Sequence, residues 1–157
     1  MNRLQPVLAL IPLLLALSLP AHAASPNLPG QCPGLPAGSQ LQWDMQLRDT
    51  YLLCRATDAS GEAVLNIMYT ERAPDIPMTR SLREERGSFA GNTLHWYRQQ
   101  IAGADPDAET LRRITVAELA KRQHAQLWIN ARDPDQLQQL IALTGQLSSP
   151  AGGLAGR

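Results

Sequence analysis

His95-Trp96-Tyr97-Arg98 is the densest cluster of chemically versatile side chains in this chain. Read as a strand, it sends Leu94 and Trp96 to one face and His95, Tyr97 and Gln99 to the other. A second set, His124, Gln126, Trp128 and Asn130, shares one face of a later stretch at the same spacing of two. His95, Tyr97, His124 and Trp128 are therefore the candidate site residues. An imidazole can serve as a general base. Aromatic rings flanked by polar groups make good ligand anchors. Two imidazoles with Glu118 or Asp44 would make a conceivable metal site. No H-x-H or H-x-x-x-H spacing supports that site, and no metal ligand set is assigned. Met45, Met68 and Met78 lie on separate elements with no Met-rich run, which fits core packing better than copper binding.

The motifs of nucleophilic and metal-assisted catalysis are absent. The chain has no G-x-S-x-G, H-E-x-x-H, S-x-x-K or P-loop pattern. The alternatives to a binding protein are a small periplasmic hydrolase using His95 or His124, and a metal or small-ligand carrier. No catalytic residue and no cofactor are assigned.

The N-terminus sets the chemical setting. Arg3 precedes an uncharged run from Val7 to Leu19, and Ala21-His22-Ala23 has the small-x-small form of a signal-peptidase site. The run contains Pro12 and falls short of the roughly 20 residues a membrane span needs. The expectation is a cleaved Sec signal over residues 1–23, with the product in the periplasm or the medium. Cleavage leaves 134 of the 157 residues, the size of one domain. It also leaves 13 basic and 14 acidic side chains and only two histidines. A near-neutral domain has no electrostatic reason to bind nucleic acid or anionic lipid. In an oxidising compartment the two cysteines, Cys32 and Cys54, read as one disulfide.

The elements that position these residues follow from periodicity. Residues 24–40 carry four prolines and three glycines, which fits an irregular arm and no regular element. Alternation predicts strands over Leu41–Leu47, Tyr51–Thr57, Ala63–Thr70, Leu82–Ser88, Thr93–Ile101 and Ala125–Ala131. The charged fourth strand, with Arg80, Arg83, Glu84, Glu85 and Arg86 in or beside it, suits a solvated sheet edge. Asp105-Pro106 could start a helix, but the β-branched run Ile114-Thr115-Val116 favours a strand over 110–119. Asp133, Pro134 and Gln136 predict a helix N-terminus, and Leu137, Leu140, Ile141 and Thr144 fall on one of its faces. Gly145 is a natural stop. Residues 148–157 form a Ser/Pro/Ala/Gly-rich tail expected to be disordered.

Short pieces of the chain resemble the small exported domain found with bacterial exosortase systems. They are an N-terminal Cys and Trp, the strand His95-Trp96-Tyr97-Arg98 and a final strand followed by a helix. The resemblance stops short of that family's fuller pattern and gives no residue a role.

The expected fold is α+β: an antiparallel meander of six to seven strands, with one C-terminal amphipathic helix packed on the sheet, stapled by one disulfide. Residues 41–147 would form the single domain. The expected function is non-catalytic binding of an envelope protein or small ligand. Replacing Cys54 by Ser should lower stability by roughly 3 kcal/mol on the chain-entropy account of loop closure. Thermal unfolding of the oxidised parent and the variant measures this, and equal melting temperatures would refute the bond.

Overall fold

The predicted alternation becomes a single antiparallel sheet in the computed structural model, which describes residues 27–148. The expected signal peptide, the first residues of the arm and the tail from residue 149 lie outside the described residues. The strands are β1 (Gln42–Leu47), β2 (Tyr51–Thr57), β3 (Ala63–Thr70), β4 (Arg83–Phe89), β5 (Asn92–Arg98), β6 (Arg112–Ala120) and β7 (Gln123–Asn130). Their order across the sheet is β1-β2-β3-β7-β6-β5-β4. Two meanders, β1 to β3 and β4 to β7, thus meet at a β3–β7 seam. Residues 71–82 carry the chain from the centre of the sheet to its far edge, past three strands. Both readings of the 105–119 segment hold in part. Asp105 caps a short helix, α1 (Pro106–Thr110), and β6 follows directly.

Helix α2 (Pro134–Thr144) starts as its sequence requires. The Asp133 carboxylate accepts from Gln136 N–H at 2.7 Å, and the Gln136 side chain accepts from Arg132 N–H at 2.9 Å. Leu137, Leu140, Ile141 and Thr144 are its buried residues. Gly145 ends the helix with φ −65°, so left-handed freedom is not what it supplies. A β-carbon there would lie 2.8 Å from Ser88 Oγ. Its small size lets the helix end approach β4. The chain beyond the helix stays fastened to the sheet, since Ala90 N–H donates to Leu147 C=O at 3.1 Å.

Register decides which face of the sheet is buried. Ala56, Leu65 and Ile129 are consecutive across β2, β3 and β7, and Cys54, Ile67 and Leu127 form the neighbouring row. All six are fully buried. The arm covers the same face. Cys32 and Cys54 are bonded, with Cα atoms 5.8 Å apart, and Trp43 Nε1 donates to Pro33 C=O at 2.6 Å. Leu28 joins the core cluster. This cover does not extend along β1, where Met45 and Leu47 remain 48% and 37% exposed. The alternation in β1 therefore marks a face without burying all of it. No helix among the described residues is long and apolar enough to cross a membrane.

The charged edge strand does more than resist aggregation. A bulge between Arg83 and Arg86 breaks the β4–β5 register and turns two consecutive carboxylates toward neighbouring arginines. Glu84 pairs with Arg98. Glu85 takes a fork of two 2.8 Å hydrogen bonds from Arg113, which is only 6% exposed. Arg113 also donates to Thr110 C=O at 2.7 Å, tying down the end of α1. Hydrogen bonding from Arg113 holds the Glu85 carboxyl below its ordinary value of 4.5. With the folded pKa depressed, the pair contributes fully above that value and its contribution is lost as pH falls through the folded pKa. The stability gap between parent and Glu85→Gln should be widest near neutral pH and narrow under acid, as read by urea melts. A gap that stays constant across that range would contradict the assignment.

Candidate functional site

All four candidate residues fall on the face of the sheet opposite α2. Direct cross-strand partners share a face, so the register traces one row over every strand: Asp44, Arg55, Asn66, Trp128, Ile114, Tyr97 and Arg83. Asp44 and Arg55 pair at one end of this row. At the other, the Arg83 guanidinium carbon lies 5.9 Å from the Tyr97 ring centroid. A parallel row runs Gln46, Leu53, Met68, Gln126 and Val116, and a third runs Tyr51, Thr70, His124 and Glu118. Most of these side chains are half-buried, and Met78 of the β3–β4 connection reaches the hollow beside His95 and Tyr97. No helix lies over them among the described residues.

The rows also separate the candidates. β5 and β7 are not neighbours, because β6 lies between them. Ile114 therefore stands between Tyr97 and Trp128. His95 and His124 occupy different rows, two strands apart, which puts roughly 10 Å of sheet between them from strand spacing alone. The two histidines and two aromatics do not converge on one point, which would have required β5 and β7 to be neighbours. What forms instead is a continuous mixed surface, with His95 and Tyr97 toward one edge, Trp128 near the centre and His124 at one end.

His124 has Glu118 and Thr70 as its two cross-strand neighbours, which gives the order hydroxyl, imidazole, carboxylate. The Thr70 hydroxyl, however, donates to Arg72 C=O at 2.7 Å. No hydrogen bond joins either histidine to a carboxylate among the described residues. Likewise, no group of three or more His, Cys, Asp or Glu among the described residues is placed to hold a metal ion.

Trp128, alone of the four candidate residues, belongs to a cleft of about 740 Å³. It lies where β3, β6 and β7 meet the loop after β5, and Trp128, Asn130, Arg112, Gln99 and Ile101 line it. Arg112 and Asn130 are direct cross-strand partners, one step along the same face from Ile114 and Trp128. The β2–β3 turn closes one side. Asp58 Oδ1 accepts from the backbone N–H groups of Ser60 and Glu62, at 2.9 and 3.2 Å. Its Oδ2 accepts from Arg132 at 2.9 Å and holds that guanidinium at the cleft. The Ser60 hydroxyl bond, above all, keeps the Asp58 carboxyl below its ordinary pKa. Arg112 was the missed residue. Its signal in the sequence was an even position on β6, matching Ile114 and Val116 and not the buried Arg113.

No family model, curated protein or solved structure matches this chain. The likeness to exosortase-associated domains therefore rests on the short pieces quoted above. Other hollows lie along the open face. One of about 940 Å³ sits at the end carrying Tyr51, Met68, Thr70, Arg72 and Pro74. A smaller one, about 260 Å³, lies between β5 and β6 and is lined by His95, Tyr97 and Glu118. Those two strands pair only at Tyr97–Ile114 and Arg98–Arg113.

The separation of the histidines bears directly on the metal-carrier reading. Equimolar zinc or copper should leave the melting temperature of the purified, untagged protein unchanged. A rise of several degrees that disappears in His124→Ala would bring that reading back.

Proposed function

We propose that this protein is a non-catalytic binding protein of the bacterial cell envelope, and that it binds through the open sheet face centred on Trp128. One observation carries the reading. A single register places Trp128, Tyr97, His95 and His124 on the one face that neither α2 nor the arm covers. Half-buried aromatics among hydrogen-bonding side chains are the composition of binding hot spots. The two histidines stand in different rows of that face, and where His95 shares a small hollow with Tyr97 and Glu118 no hydrogen bond joins it to the carboxylate among the described residues. The Cys32–Cys54 bond and the signal-like N-terminus support an oxidising compartment outside the cytoplasm. A periplasmic inhibitor or immunity-type protein is a specific form of this reading, by analogy of size and class.

Immobilised parent protein should enrich a discrete protein or glycan from envelope extract. Trp128→Ala should lose most of that material, about tenfold or more for a central aromatic anchor. Matched melting temperatures would show that the variant is folded. Equal recovery by both baits, or none by either, would sink the proposal.

A further inference from the structure

We propose that the Trp128 cleft takes a short stretch of glycan, with a sugar ring laid against the indole. This deepens the binding reading above and rests on it. The volume, about 740 Å³, falls within the range of small-molecule sites. Its floor comes from a central strand, since β7 is paired on both sides. Trp128 and Asn130 sit two residues apart on one face of that strand, with Ile114 and Arg112 as their direct partners on β6. Gln99 and Ile101 approach from the end of β5 and the loop beyond it.

The chemistry of this lining matches a sugar more closely than other ligand classes. A pyranose has an apolar C–H face and a rim of hydroxyls that both donate and accept. The indole suits the first. The amides of Gln99 and Asn130, which also donate and accept, suit the second, together with the planar donors of Arg112. None of these three side chains makes a hydrogen bond within the protein among the described residues, so their bonding capacity faces the cleft. Charge points the same way. The ionisable groups at the cleft are Asp58 and Glu62 against Arg112 and Arg132, and Arg132 is already paired with Asp58. A lining with no net charge disfavours phosphorylated ligands and anionic lipid.

The test is a printed array of bacterial oligosaccharides, with chitotetraose and cellotetraose included, probed with the parent chain, Trp128→Ala, Trp128→Phe and Asn130→Ala. The strongest glycan is then titrated by calorimetry against all four proteins, and against the intrinsic fluorescence of the parent and Asn130→Ala. Trp96 is fully buried and Trp43 lies on the helix-covered side, so a ligand-induced change reports Trp128. The expected result is saturable binding by the parent. Trp128→Phe should weaken it a few-fold, Asn130→Ala about tenfold, and Trp128→Ala should abolish it. Trp128→Phe keeps the test valid if the alanine variant does not fold. Retention of no glycan by the parent, or retention that the Trp128 and Asn130 variants leave unchanged, overturns the proposal. An empty array combined with Trp128-dependent capture of an envelope protein would remove the glycan and leave the binding reading standing. An empty array with no capture would remove both.

Discussion

Six residue pairs, from Leu65–Ile129 to Thr70–His124, form the ladder that joins β3 to β7. Everything about the faces of this domain depends on that seam. The β1–β3 meander and the β4–β5 and β6–β7 hairpins could keep their own registers, because short turns fix them locally, whereas β5 reaches β6 through residues 99–111. Nothing local fixes how the two meanders align, since β3 and β7 are far apart in the chain. A slip of one residue at the seam would turn every side chain of one half to the wrong face. With the β4–β7 half turned over, Leu127 would leave the core and Trp128 would enter it. The seam is held by the burial it creates: Leu65, Ile67, Leu127 and Ile129 are all fully buried beneath α2 and the arm. The aromatic face exists because the opposite face cannot tolerate any other alignment.

One-sided cover explains the rest of the architecture. A sheet must bury one face, and a single eleven-residue helix cannot span seven strands. Here α2 reaches β7 and β4, while the arm, pinned by Cys32–Cys54, covers the β1–β2 side. Both covers lie on one face. The far-edge strand β4 turns to charge at its start, while Phe89 at its other end is fully buried. The Glu85–Arg113 fork sits on the covered side and satisfies a guanidinium that would otherwise be buried alone. Close contact is also arranged by removing atoms. A β-carbon at Gly87 would stand 2.5 Å from Trp96 Nε1, so the largest core side chain lies against a strand position that must stay bare.

Period-two alternation made most of this readable from the sequence. Leu94 and Trp96 inward with His95 and Tyr97 outward, and Leu127 and Ile129 inward with Trp128 outward, follow from strand geometry alone. The helix start was readable for the same reason, because Asp133 and Gln136 act within one turn. What depends on partners distant in sequence could not be read. Strand alternation says that Tyr97 and Trp128 face outward, but not that β6 separates them. The roles of Glu84 and Glu85 depend on a bulge whose cause is where Arg98 and Arg113 arrive. Gly145 reads as a helix stop, yet its small size answers to the nearby Ser88, which no local pattern shows. Met45 followed the alternation of a half-buried strand, but burial depends on how far the arm extends. For the site, the residue types were visible and their grouping was not. Arg112 and Asn130 become a pair only through the β6–β7 register.

Where the indole sits bears on what the open face can do. A binding group on a loop must be ordered when its ligand arrives, and that ordering opposes affinity. Trp128 stands instead on a strand laddered on both sides, with Asn66 and Ile114 as buried cross-strand neighbours. Its backbone and immediate surroundings are fixed before any ligand appears. The Asp58 turn adds the same property at the rim, because its carboxylate gathers the turn's own N–H groups and Arg132 at once. The histidines have no hydrogen-bonded partners among the described residues to orient their rings. Rigidity without an oriented proton acceptor suits recognition better than acid–base catalysis. That asymmetry, firm backbone beneath a mixed aromatic and amide surface, is the physical argument for the proposed binding face and for Trp128 as its proposed centre.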